Sequence, residues 1–340
     1  MLGRATPGRS SPGRLSLTGV PMNARRIDVH NHYFGGAVAR WFAESGFTPR
    51  GGYRLGNWTV ADALAFMDRH EIAAQILSLP MTPPAPALDP GFPGRFARQV
   101  NEEYAALIKE RPDRFGAFAA LPLNDPHAAI AEIRYALDEL GLDGVTLTSN
   151  AGGHYFGQPF WEPILAELAG RSVPVFVHPA ESPCIETLGF GRPSSVIEFP
   201  VDTARGITNA IYRGTFQRHP GLRLILAHCG GALPTLGWRI AEHTEMGRGP
   251  DDAEVGPDHV ARVLRGFYYE TALAGSPHSL LPTLQVTGAD HILFGTDWPA
   301  APERTVAHNT AKLMAFEGFS EAQRAGVERD NAVPLFPRFA

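Results

Sequence analysis

Short apolar runs of strand length alternate with amphipathic segments along almost the whole chain, and few architectures accept that pattern. The runs are RRIDVHNH, AAQILSLP, FGAFAALPLN, GVTLTSN, VPVFVHP, LRLILAHCGG, FYYETAL and HILFGTDWP. Between them lie segments with helical spacing. Examples are TVADALAFMDRHEI, with Ala63, Phe66, Met67 and His70 on one face, and PHAAIAEIRYALDELG, which opens on Pro126 and closes on Gly141. Continuous apolar runs read as strands covered on both faces of a parallel sheet. Eight β–α units are what a closed barrel needs, so the expected fold class is α/β, a single distorted (β/α)8 TIM barrel over 25–340. Three long connections, 33–58, 81–94 and 180–200, each follow a strand end and are predicted to rise over the carboxyl face as lids or substrate walls. Residues 1–24 hold Arg, Gly, Pro and Ser without apolar periodicity and are expected to form a disordered leader.

Bulk properties remove several classes of function. Of 340 residues, 44% are hydrophobic and 19% charged, which supports a large core and argues against a solvated, unfolded chain. A net charge of −5 speaks against a nucleic-acid partner. No apolar run approaches the roughly 18 residues that cross a bilayer, so no membrane partner is expected. Cys184 and Cys229 are the only cysteines, too few for a disulfide framework, and a cytoplasmic protein is expected. Cys229 reads as a small buried residue rather than a nucleophile. LGFGRPSS is not a dinucleotide fingerprint, and neither a Gly-x-Ser-x-Gly elbow nor a phosphate loop is present.

Chemistry gathers at the ends of the strand-like runs. His30 and His32 close the first, His178 another, His228 another, and Asp297 the last. In a parallel barrel such positions converge on one face, where barrel enzymes place their active sites. His30 and His32 lie two apart, so alternation puts both imidazoles on one face, about 6–7 Å apart along the strand. His30, His32, His178 and Asp297 thereby form a mixed nitrogen and oxygen shell for one divalent ion near zinc in hardness; no organic cofactor is expected. His228 has two readings, fifth ligand or proton-transfer group. Acid/base work is preferred, because the shell must keep a position open and a neutral imidazole shuttles protons near neutral pH.

His30-x-His32, His178 in VHP, His228 in HCGG and Asp297 in GTDWP resemble the decarboxylase branch of the amidohydrolase superfamily. Within it the similarity is to aminocarboxymuconate semialdehyde decarboxylase and, nearer still, to methylsalicylate decarboxylase-type proteins. It extends over about residues 26–338 and includes ALAFMDRHEIAAQILSLP, ALDELGLDGVTL and GGALPTLGWRI. The resemblance implies a barrel with one zinc or manganese held by His30, His32, His178 and Asp297, with His228 as acid/base group and non-oxidative loss of carbon dioxide. It further implies that Arg239 holds the substrate carboxylate from the neighbouring subunit, hence a homodimer. Barrels with two metals bridge them by a carbamylated lysine on a central strand; here Lys109 and Lys312 are the only lysines, both in predicted outer helices, so a mononuclear site is expected. Resorcylate-type relatives carry Glu-x-His on the first strand and a Glu three residues after the sixth-strand His, where this chain has His30 and Gly231.

The substrate expected from this is a small carboxylic acid, an ortho-hydroxybenzoate or a similar unsaturated acid. Asp297 or His228 would protonate the carbon that bears the carboxylate. Phe34, Trp298, Tyr155 and Phe156 are candidates for an aromatic pocket wall, and Asn150 and His154 for contacts to a ring substituent. Two rivals stand beside it. A metal-dependent hydrolase, a lactonase or amidohydrolase, would use the same ion to activate water. A non-catalytic metal-binding barrel would be indifferent to the loss of His228 or Asp297.

Overall fold

Among the residues that the computed structural model describes, ten strands are formed: β1 (Arg26–His32), β2 (Ile72–Ser78), β3 (Phe115–Ala119), β4 (Gly144–Thr148), β5 (Asn150–Ala151), β6 (His154–Tyr155), β7 (Pro174–His178), β8 (Arg223–Leu226), β9 (Tyr268–Glu270) and β10 (Ile292–Leu293). The structure describes residues 25–45, 58–79, 81, 83, 89–246 and 255–340. The leader 1–24 and parts of the long connections 33–58 and 81–94 lie outside them. Eight strands form one sheet in the order β1-β2-β3-β4-β7-β8-β9-β10, and every pairing in it is parallel. The chain following β10 closes it. Val29 N donates to Phe294 O at 3.0 Å, Thr296 N and Asp297 N donate to His30 O at 3.1 and 2.7 Å, and His32 N donates to Trp298 O at 2.8 Å. With helices between successive strands, this is a (β/α)8 TIM barrel.

Alternation sorts each strand between lumen and helices. Phe118, Phe176, Ile225 and Leu293 meet Ile27, Val29, Ala74 and Ile76 inside the barrel, while Ala117, Val145, Leu147, Val175 and Leu224 join the outer core under the helices. The C-terminal residues Ala332, Leu335, Phe336 and Phe339 belong to the inner cluster and complete it. One ion-pair group anchors that tail. Glu328, with a 1% exposed side chain, accepts from Arg26 Nε at 3.0 Å and pairs with Arg25 Nη2 at 2.7 Å. Removing one partner of a buried pair leaves the other charge without compensation. Glu328→Ala is therefore expected to destabilise the protein by about 3–5 kcal/mol, measured as a lower denaturant midpoint with an unchanged m-value.

β1 departs from simple alternation where it matters. Ile27 and Val29 face the lumen, so an unbroken strand would send His30 and His32 outward. The register prevents this: Asp28 pairs with Gln75 but Asn31 with Leu77, so β1 carries one residue more than β2 over that interval. Such a bulge re-aims the side chains beyond it. Val29 and His30 both turn inward, and His32 follows. The Asp28 carboxylate braces the bulge by accepting from His30 N (3.2 Å), Thr296 N (3.0 Å), Thr296 Oγ1 (2.7 Å) and Gln75 Nε2 (3.0 Å).

Two sequence expectations need adjustment. The segment DTARGITNAIYRGTFQRHP has the spacing of a single helix; in the structure the helix begins earlier, at Glu198, ends at Tyr212, and a separate turn Thr215–Arg218 follows Gly214, whose φ of 66° breaks it. His228 was expected to end its strand, but β8 stops at Leu226. His228, Cys229, Gly230 and Gly231 then take φ values of 54°, 54°, 73° and 60° in succession. Two glycines meet that demand without steric cost, and His228 and Cys229 hold a conformation that is strained for side-chain-bearing residues.

Candidate metal centre

The inward side chains at the carboxyl end of the barrel meet above the Phe176 ring, 4.9 Å from the His30 ring. His30 comes from β1 past the bulge, His32 two residues on, His178 from the last position of β7, and Asp297 from the left-handed turn after β10, where its φ is 62°. All four are buried, and one ligating atom from each lies within 4.8 Å of every other. His30 Nε2 and His32 Nε2 are 3.2 Å apart, and Asp297 Oδ1 is 3.3 and 2.9 Å from them. Donors about 2.0–2.1 Å from a tetrahedral ion stand about 3.3 Å from each other, so the spacing suits one ion.

The hydrogen bonds settle where the imidazole protons are. His30 Nδ1 faces the Glu270 carboxylate at 2.7 Å, and His178 Nδ1 faces the Pro179 carbonyl at 2.7 Å. His32 Nδ1 faces Ser78 Oγ at 3.2 Å, and that hydroxyl already donates to Asn31 O at 2.7 Å, so it accepts here. Each ring turns its Nδ1 outward to an acceptor and its Nε2 inward, towards the other rings and the Asp297 carboxylate. A buried gathering of imidazole nitrogens around one carboxylate needs a positive charge among them, a proton on a ring or a cation in its place. Burial and the neighbouring imidazoles hold His178 well below its ordinary range, and burial lowers His32. Burial pulls His30 down too, but Glu270 and then Asp297 outweigh it and push that imidazole up to about 10. Burial would raise Asp297, yet its hydrogen bonds to His30 and His32 hold it well below the usual carboxylate range. The donor set fits a divalent ion with three nitrogen ligands and one oxygen ligand.

His228 stands at the edge of this group, half-buried, its ring 4.9 Å from that of His30 and 6.3 Å from that of His178. Its Nδ1 faces Ala272 O at 2.8 Å, which again leaves Nε2 bare. The next residue is no nucleophile: burial pushes the Cys229 thiol far up.

The remaining expected residues divide. Phe34 is buried with its ring 5.9 Å from that of His32, beside the centre, whereas half-buried Trp298 follows Asp297 in the chain and stacks its ring on Phe66 at 4.5 Å. Asn150 and His154 belong to the β5–β6 hairpin instead. The Asn150 amide donates to Glu181 O at 3.1 Å and Asp202 Oδ2 at 2.8 Å and accepts from Gly153 N at 3.1 Å, so its polar capacity is spent on local structure. His154 is exposed and stacks on Phe160 at 4.6 Å. Tyr155 donates to the buried Asp202, and Phe156 is packed in the outer core. Arg239 is exposed on the helix Leu233–Glu245.

Glu270 is the residue that sequence reasoning passed over. In the sequence it stands inside the run FYYETAL, but in the structure it is the last residue of β9, and it is completely buried against His30. Among the described residues it forms, with His30 and His228, the second group able to ligate an ion, and that group shares His30 with the first.

Comparison with known proteins agrees with this geometry. The chain is 34% identical to decarboxylase yanB of Aspergillus niger over 92% of its own length and 88% of that protein's. It is 32% identical to a 6-methylsalicylic acid decarboxylase of Penicillium expansum, covering 92% and 96%. A dihydroxybenzoic acid decarboxylase from Polaromonas, solved with manganese and the inhibitor 2-nitroresorcinol, superposes with a TM-score of 0.75 at 26% identity, covering 93% of this chain and 97% of that one. The model of the amidohydrolase family matches residues 27–338, and with an imidazole-and-carboxylate centre at the carboxyl mouth of a barrel, the chain belongs to that family.

Proposed function

We propose that the protein is a metal-dependent carboxy-lyase that removes the carboxylate of an ortho-hydroxybenzoate of the methylsalicylate type without oxidation. The observation that carries this is the buried convergence of three imidazoles and Asp297 beside a fourth imidazole, His228, whose Nδ1 is held by Ala272 O. His30, His32, His178 and Asp297 would hold the ion, and three imidazole donors favour zinc over manganese. When bound, the ion supplies a positive charge that binds and orients the carboxylate and its neighbouring oxygen. Proton delivery falls to His228 or Asp297 at the carbon bearing the carboxylate, after which carbon dioxide leaves and the ring regains aromaticity. Phe34 and Trp298 would flank a planar ring.

Gly231 bears on substrate choice. A Cβ at this position would lie 2.4 Å from Pro200 O, so no acidic side chain can enter there without moving the main chain. This favours an acid with a single ortho-hydroxyl over a resorcylate. Arg239 is assigned to the carboxylate of a substrate held by a second copy of the chain. Its helix exposes Leu236 and Trp238, and Ala232 N at its start donates to Pro200 O, linking it to the stretch that exposes Val196 and Ile197. An apolar surface of this kind suits a homodimer. Cys184 and Cys229 are free thiols, which fits a cytoplasmic setting. No helix among the described residues is long and apolar enough to cross a membrane.

A panel of salicylate, 6-methylsalicylate, 2,6-dihydroxybenzoate and aromatic lactones, offered to zinc-loaded protein, tests the reading. Carbon dioxide should appear from at least one ortho-hydroxy acid in equal amount to the phenol formed, without oxygen uptake. Lactone opening with no gas from any acid would replace the lyase by a hydrolase.

A further inference from the structure

We propose that Glu270 is a positioning residue that couples the metal-binding His30 to the proton-transfer His228. The carboxylate ends β9 with no exposure to solvent. One oxygen, Oε1, lies 2.7 Å from His30 Nδ1 and also accepts from the main-chain N–H of His228. The other, Oε2, accepts from Ala272 N at 2.7 Å, and the carbonyl of Ala272 receives His228 Nδ1 at 2.8 Å. A single side chain therefore fixes three things. It selects the His30 tautomer that offers Nε2 inward, it ties down the left-handed backbone of His228, and it seats the carbonyl that selects the His228 tautomer. Its oxygens face three N–H donors, a demand that a carboxylate meets and an amide does not.

The barrel also reserves space for it. A Cβ on Gly295 would fall 2.0 Å from Glu270 Oε2 and 2.9 Å from His30 Cβ. The glycine of GTDWP is thus needed by Glu270 and His30 rather than by its own turn. Three separate strand ends, those of β1, β8 and β9, meet on this carboxylate, so a disturbance at one reaches both the ion and the acid/base group.

The kinetic half of this inference rests on His228 as the proton-transfer group; the metal half does not. Glu270→Gln in the full-length protein keeps the shape and turns one acceptor into a donor. Zinc affinity, read by chelator competition, should fall about 10–100-fold, and the absorption spectrum of the cobalt-substituted protein should shift. At saturating zinc, kcat should fall about 100-fold with KM little changed, as misplacement of a reacting group does. In a His228→Ala background the same substitution should still weaken zinc but cost no further kcat. Gly295→Ala, which presses on Glu270 without removing it, should move zinc affinity and the cobalt spectrum in the same direction, and it decides the matter if Glu270→Gln does not fold. Unchanged zinc affinity and cobalt spectrum would overturn the proposal, as would kcat losses that multiply in the double variant. If no acid in the panel is decarboxylated while zinc affinity and the cobalt spectrum respond as stated, the reaction assignment fails and the tie between Glu270 and His30 stands.

Discussion

His178→Ala is expected to leave the protein with almost no bound ion and with decarboxylation at background. His178 lies among the other donors, its ring centroid 5.4 Å from that of His30 and 5.1 Å from that of His32. Its Nδ1 is committed to Pro179 O, so the alanine variant removes one ligand while leaving the other three donors and their partners in place. Three remaining donors keep some affinity, but loss of a direct ligand must exceed the 10–100-fold cost that goes with losing an outer hydrogen-bond partner. Stability follows the ion. A ligand at about 1,000 times its dissociation constant contributes about 4 kcal/mol to the native state. A chelator should therefore lower the melting temperature of the parent protein by several degrees and barely move that of the variant. Elemental analysis and a thermal scan with and without chelator check both statements. A variant that keeps one ion per chain, or that retains activity, would remove His178 from the centre.

That His178 faces inward was legible because VPVFVHP alternates cleanly: Phe176 fills the lumen, and two residues later His178 does the same. The barrel itself was legible for the same reason, since eight apolar runs separated by amphipathic segments leave little choice of topology. The face taken by His30 and His32 was not. In IDVHNH plain alternation groups the histidines with Asp28, and only the extra residue in β1 brings them round to the side of Ile27 and Val29. A bulge depends on pairing with a neighbouring strand, and no local pattern announces it. The HCGG turn misled in another way. The apolar run continues through Ala227, but the chain has already left the sheet at Leu226, and the consecutive glycines were the available sign. Glu270 stayed hidden because its partner His30 lies 240 residues away and FYYETAL reads as an ordinary strand. Asn150 and His154 were placed near the right strand end, yet the chain folds back there into a hairpin that uses Asn150 for its own support and leaves His154 on the surface.

Replacing His228 should separate binding from chemistry. Loss of a positioned acid/base group costs about 10²–10⁴-fold in rate, or about 2.7–5.5 kcal/mol of barrier. In His228→Ala, kcat for the best acid in the panel is expected to fall within that range while the ion stays at one per chain and KM changes little. The distinction follows from the geometry. The four buried donors fit the ion without His228, whereas its half-buried ring lies at the edge of the group with Nδ1 held by Ala272 O and Nε2 free to exchange a proton. The backbone complicates a plain truncation, because φ at position 228 is 54° and alanine tolerates that region less well than asparagine does. His228→Asn relieves the conformational cost and still supplies no acid/base group. If both variants lose kcat to the same extent, proton transfer is what was lost; if asparagine restores the rate, position 228 serves the shape of the turn, and Asp297 must deliver the proton alone. Loss of the ion in either variant would instead make His228 a ligand, the other reading open to an imidazole placed this close to His30.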